Sequence, residues 1–247
     1  MSSLSFSQYS TALECLRKYK LLYVDKLRID GPESGDLHFG SALHMGINTL
    51  LQGGTLESAH QQFSIYWASL ADQPMVYGRF THSPLGDMGM RFLSNFDMRF
   101  KDKFKLEFAE ERLYAEYDGI KVEGTPDFVG TYDGVFTLAD FKTSSQNYDP
   151  AKIQVSIQLY LYSYLYQQKT GRLPDQIMYF VFNKALGSIQ KPLTQPVTEK
   201  TMRKVLDEFA AYASIIHEST YPKNLNNCFN WGRKCEYFDK CLSLIHI

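Results

Sequence analysis

Asp127, Asp140 and Lys142 are the residues whose types and spacing could do chemistry. Asp127 stands ahead of an apolar run that closes on Asp140-Phe141-Lys142, so two carboxylates and an ammonium fall on two strands joined by a tight turn. Carboxylates hold hard divalent cations, and a cation held this way neutralises phosphoryl oxygens and acidifies water. Alternate strand residues share a face, so Lys142 returns to the side of Asp140, while the carbonyl of Phe141 can offer a third oxygen. Beside a cation the neutral amine of Lys142 is favoured, which lets it orient or deprotonate a water. These parts suit phosphodiester hydrolysis. An isolated Asp-x-Lys is more often a surface ion pair, so the weight lies on context: Asp127 ahead of it, the Gly124-Thr125-Pro126 kink, and a polar-faced helix after it.

The elements that must position these residues are legible from period and punctuation. Ser5 or Ser7 can cap a first helix carrying Tyr9, Leu13, Leu16 and Cys15. A second is expected from Phe39 to the Gly53-Gly54 stop and carries His44; Thr55 caps a third, and Phe92, Leu93, Phe96 and Phe100 mark a fourth. From Leu106 the period becomes alternating. Asp118-Gly119 and Asp133-Gly134 then predict a three-stranded antiparallel meander ending at Lys142. A helix from about Pro150 to Gln168 presents Gln154, Gln158 and Tyr162 beside its apolar face. The continuous apolar run Ile177 to Phe182 reads as a strand buried on both faces and added in parallel after a helical crossover. A last long helix is capped by Thr198. The order gives an α/β fold with a mixed central sheet flanked by helices.

At 247 residues, with no linker-like stretch or change of composition, residues 1–247 read as a single domain with small appendages. The N-terminus lacks the basic start and apolar run of a signal peptide, and no segment is long enough to cross a bilayer, so an intracellular (cytoplasmic) protein with no membrane partner is expected. A net charge of -1 gives no support to a domain built only to grip phosphate.

Taken together, Pro126-Asp127, Asp140-Phe141-Lys142 and Gln158-Leu159-Tyr160-Leu161-Tyr162 resemble the PD-(D/E)XK nuclease superfamily, and specifically its RecB-like branch with a trailing Q-x-x-x-Y helix. Gly40-Ser41-Ala42-Leu43-His44 is similar to the Gly-x-x-x-His motif of that branch, so four motifs stand in family order between residues 40 and 162. The resemblance implies a restriction-endonuclease-like core and a metal-dependent DNA nuclease. In it His44, Asp127, Asp140 and the Phe141 carbonyl would hold Mg²⁺ or Mn²⁺, Lys142 would activate water, and Gln158 and Tyr162 would bond near the site and touch the DNA backbone. It also implies exonucleolytic action on single-stranded DNA or free ends, and helicase, recombination or CRISPR adaptation proteins as partners. Two other classes stay open: a non-catalytic DNA-end-binding module or partner subunit of a helicase-nuclease complex, and a metal-dependent hydrolase of a non-nucleic substrate.

Cys15 sits near one end of the chain, and Cys228, Cys235 and Cys241 crowd the other, with no cysteine between. Disulfides are rare inside cells, so this distribution suggests a metal centre joining the termini. Zinc and a [4Fe-4S] cluster both take four cysteines, but Cys-x-x-Cys pairs, usual for structural zinc, are absent. The pattern resembles the iron-sulfur members of the same branch, including the CRISPR-associated exonucleases, whose first cysteine begins a Cys-x-x-x-Tyr motif, here Cys15 to Tyr19. The resemblance implies a [4Fe-4S] cluster, with Zn²⁺ or free thiols as alternatives, clamping residues 1–30 and 217–247, and DNA contacts from Arg17 and Tyr19. The six residues between Cys228 and Cys235 depart from the closer spacing usual in that group.

Overall fold

The computed structural model describes residues 3–29, 31–218, 220–230 and 233–243. Strand β1 (Leu4–Ser5) leads into α1 (Phe6–Glu14), where Ser5 and Gln8 form a reciprocal capping box. Three helices follow, α2 (Gly35–Leu51), α3 (Leu56–Ala68) and α4 (His82–Arg99). Next come β2 (Phe104–Phe108), β3 (Leu113–Tyr117), β4 (Ile120–Gly124), β5 (Phe128–Tyr132) and β6 (Val135–Ser144). Helix α5 (Ile157–Thr170) crosses to β7 (Gln176–Asn183), edged by β8 (Ser188–Ile189) and β9 (Leu193–Pro196), before α6 (Glu199–Glu218).

The central sheet runs β2-β5-β6-β7, with β8 and β9 along the outer edge of β7. β6 and β7 are parallel and the other pairs antiparallel, so the mixed sheet expected from the sequence is present. The expected meander is divided, however. β3 and β4 pair with each other, and β4 pairs in parallel with β1, forming a second sheet. Gly124-Thr125-Pro126 causes the division: proline offers no N–H to a ladder, so the chain leaves one sheet there and enters the other at Phe128. Both two-residue hairpin turns match their sequence signal, with positive φ at Asp118, Gly119, Asp133 and Gly134.

Each face of the central sheet meets its own core. Helices α2, α3 and α4 cover Phe128, Ala139, Phe141, Met178, Phe180 and Phe182. Helices α1, α5 and α6, with β3 and β4, cover Leu138, Ile177, Tyr179 and Val181. Burial of each such side chain contributes roughly 1.5–3 kcal/mol, which makes the sheet a rigid platform for what its strand ends carry. Because β6 alternates, Ala139 and Phe141 point into the three-helix layer while Asp140 and Lys142 point the other way. No helix among the described residues is long and apolar enough to cross a membrane.

Three helical boundaries differ from expectation. α2 begins at Gly35 because the Ser34 hydroxyl accepts from the Leu37 N–H. The helix expected from Pro150 is a 3₁₀ segment, Pro150–Val155, capped by Asp149; α5 starts afresh at Ile157 under its own cap, Ser156. Cys15 lies in an extended break, φ -165°, between α1 and a short helical piece, Leu16–Tyr19.

Candidate active site

Register brings the two acids together. Phe128 pairs with Ala139 in the β5-β6 ladder, so Asp127, one residue before β5, lies opposite Asp140. The Asp127 carboxylate is fixed on one side by the Phe141 N–H, which donates to Oδ2 at 2.8 Å. Helix α2 delivers His44, whose Nε2 is 2.7 Å from the Phe141 carbonyl oxygen and whose Nδ1 is 3.7 Å from Asp127 Oδ1. A carbonyl only accepts, so Nε2 carries a proton and donates it to Phe141. Gly40, one helical turn earlier, faces Thr143 of β6; an added Cβ would stand 3.4 Å from its hydroxyl.

Asp140 is 1% exposed. Its Oδ1 accepts from Lys142 Nζ at 3.1 Å and its Oδ2 lies 2.8 Å from the same nitrogen outside hydrogen-bond geometry, with no other donor to Oδ2 among the described residues. The Lys142 ammonium therefore meets both oxygens and offsets the cost of burying this charge. Burial, and then the neighbouring Asp140 charge, push the Asp127 carboxyl up to about 6. Burial would pull the Lys142 ammonium down, yet Asp140 and then Asp127 more than offset this and its pKa is raised. The protein's own groups therefore hold Lys142 as the ammonium, where the expectation with a cation alongside was the neutral amine.

Gln158 and Tyr162 sit one turn apart on α5, both 9% exposed, and Gln158 Nε2 donates to the Tyr162 hydroxyl at 3.2 Å. The Tyr162 ring packs on Gly124, where an added Cβ would stand 2.4 Å from Cε1. That glycine is required by close approach. Tyr162 senses Asp140, Asp127 and Lys142, and burial raises its pKa.

The sequence did not single out several further residues at this site. Tyr179 is the register partner of Asp140 on β7; burial pushes its hydroxyl up to about 12, and the hydroxyl bonds Ser156 Oγ at 2.6 Å. Glu110 and Asn48 line a small pocket with His44, Asp127 and Phe141, and Asn48 Nδ2 donates to Glu110 Oε2 at 2.7 Å. Glu110 holds φ +54°, a strained value for a non-glycine residue, with its N–H bonded to the Pro126 carbonyl. The only available signal was the spacing of Asn48, one turn after His44.

Arg17, Tyr19 and the cysteines lie elsewhere. Tyr19 is buried beside Tyr23 and Tyr221. Cys15, Cys228, Cys235 and Cys241 are unpaired and half-buried, and with Arg17 they help line a cavity of about 870 Å³. Arg17 Nε is buried with no hydrogen-bond partner among the described residues. The Asn224 N–H donates to Cys15 Sγ at 3.4 Å, and the Cys235 N–H to the Cys228 carbonyl at 2.8 Å. Among the described residues, no three His, Cys, Asp or Glu side chains are gathered as a ready metal-holding group, at either place. The carboxylate site still fits a hard cation, since its two acids face each other closely enough for the Asp140 charge to raise the Asp127 carboxyl. The four thiols share a cavity without being drawn onto a common point.

Comparison with known proteins agrees with the fold. The sequence model for the PD-(D/E)XK nuclease superfamily matches residues 3–241. A candidate exonuclease from Eubacterium rectale superposes with a TM-score of 0.60 at 14% identity, over 98% of this chain and 87% of that one, which shows a shared fold. The protein SSO0001 is 16% identical over 80% of this chain and 84% of its own, but its TM-score of 0.32 carries no argument. No curated protein matches the chain.

Proposed function

Because the chain belongs to the PD-(D/E)XK nuclease superfamily, we propose that it is a metal-dependent DNA nuclease working on strand ends. The observation that carries this reading is the facing pair Asp127 and Asp140, with Lys142 Nζ 2.8 Å from Asp140 Oδ2. Asp127, Asp140, His44 and the Phe141 carbonyl would hold Mg²⁺ or Mn²⁺. When bound, such a cation supplies Lewis acidity toward a phosphoryl oxygen and a more acidic water. Lys142 keeps its proton next to Asp140 and orients the attacking water from the same strand face. The Phe141 N–H keeps Asp127 aimed at Asp140, and the His44 ring is held on the Phe141 carbonyl. Gln158 and Tyr162 wall the site and face the DNA backbone.

Exonucleolytic action is our reading of the RecB-like resemblance. We also read the four cysteines as the seat of a [4Fe-4S] cluster or Zn²⁺; what supports it is that four unpaired, half-buried thiols from both chain ends face one cavity. The single-domain reading rests on the contacts that α1 and α6 make across the chain ends.

End-labelled single- and double-stranded DNA should be cut in Mg²⁺ or Mn²⁺ and spared in chelator. Asp140→Asn and Lys142→Ala should each lower the rate by at least about 10²-fold, the range for loss of acid–base or electrostatic help. Cleavage that survives both substitutions would refute the assignment, and tight binding without cleavage would favour an end-binding module.

A further inference from the structure

The segment between β6 and α5 carries a cation that the proposed mechanism does not use. Lys152 Nζ lies 3.5 Å from the centroid of the Tyr148 ring, and among the described residues no carboxylate pairs with it. The two nearest comparisons differ: Lys142 is paired with Asp140 and Lys184 with Asp36. Tyr148 itself is fixed from three sides. Gln190 Oε1 accepts from its N–H and Gln190 Nε2 donates to its carbonyl, each at 2.8 Å. Its ring stands edge-on to Tyr179, the register partner of Asp140, at 5.4 Å and 82°.

The rest of the segment is equally constrained. Asn183 Nδ2 donates to Asn147 Oδ1 at 2.7 Å, Asp149 caps the 3₁₀ turn, and Ile153, 2% exposed, anchors it in the core. Lys152 is thus exposed on a rigid mount over the Tyr148 ring, which itself abuts Tyr179, the register partner of Asp140. Burial, then the Lys142 charge, lower the pKa of Lys152. An exposed cation held in this way beside the site attracts a polyanion.

We propose that Lys152, mounted on the Tyr148 ring, is a phosphate clamp that holds the nucleic-acid backbone phosphate beside the one cleaved. It is a positioning residue and acts on substrate binding. The inference rests on the nuclease reading for the identity of the polyanion.

The test pairs binding with turnover. Anisotropy of a labelled single-stranded oligonucleotide, with Ca²⁺ in place of Mg²⁺, gives affinity against salt; cleavage in Mn²⁺ gives KM and kcat. Lys152→Gln should raise KM and Kd about tenfold, the loss expected of one charge-assisted contact, and reduce the salt slope by about 0.7. Lys152→Arg should restore the slope, and Tyr148→Ala should follow Lys152→Gln. An unchanged KM and slope in Lys152→Gln, or a fall confined to kcat, overturns the clamp while wild-type cleavage keeps the nuclease reading intact. A wild type that binds but cuts nothing sinks the nuclease reading, and the slope alone then decides the clamp. Failure of the wild type to bind overturns both.

Discussion

At the scale of single residues, Asp127 carries the cost of the site. Its carboxyl is pushed up to about 6 by burial and by Asp140, above the ordinary value of 3.8. A raised acid favours the folded state while protonated, so its contribution is full below the unfolded value and is lost as pH rises through the folded one. The metal-free protein should therefore lose stability between about pH 4 and pH 6, relative to Asp127→Asn, in which that dependence is absent. Mg²⁺ should reverse the sign above pH 6, because a cation stabilises the ionised pair. Denaturant midpoints for both proteins, with and without Mg²⁺, measure this directly, and parallel curves would remove the coupling of Asp127 to Asp140. Asp127 was legible because it follows the Gly124-Thr125-Pro126 kink, and Asp140 and Lys142 because the Asp133-Gly134 turn fixes where their strand begins. Tyr179 was not, because inside an unbroken apolar run nothing in the order of residues marks which side chain faces Asp140.

Among the elements, the start of α5 matters most, because one hydroxyl serves two ends there. Ser156 Oγ accepts from the Leu159 N–H at 3.2 Å and bonds the Tyr179 hydroxyl at 2.6 Å, both within the buried wall of the site. Ser156→Ala should cost about 1 kcal/mol for the cap and about 1–3 kcal/mol more for the stranded tyrosine hydroxyl. Adding Tyr179→Phe should recover the second part and leave the first; urea unfolding of the two variants separates them, and a double variant no better than the single would show that the hydroxyl finds another partner. Caps of this kind are local, so Ser5 and Thr55 could be read from the chain. The exchange of sheets at Gly124-Thr125-Pro126 could not. It depends on β1, more than a hundred residues earlier, offering β4 a parallel edge, and a two-residue strand leaves no period to detect. The break at Cys15 escaped for a similar reason, since α1 and Leu16–Tyr19 continue one apolar stripe across it.

Across the whole molecule, the chain ends are joined by protein contacts that the cysteines would only reinforce. Tyr9 meets Phe209 at 4.8 Å, the Tyr212 hydroxyl donates to the Ala12 carbonyl at 3.1 Å, the Arg17 N–H to Pro222 at 3.2 Å, and the Tyr237 hydroxyl to Leu27 at 3.0 Å. None of these bonds involves the central sheet, whose two cores close around β6 and β7. A metal centre on Cys15, Cys228, Cys235 and Cys241 would therefore govern the tail and leave the sheet largely independent. Protein purified without oxygen should show a broad visible absorption band if the centre is iron-sulfur, or stoichiometric zinc if it is not. Cys228→Ser should abolish either signal and bring early proteolytic cuts into the region after α6, while the sheet-centred unfolding midpoint moves little. Colourless, zinc-free wild-type protein whose tail is cut no more slowly than that of Cys228→Ser would show that the thiols bind nothing and that the tyrosine and backbone contacts alone join the ends.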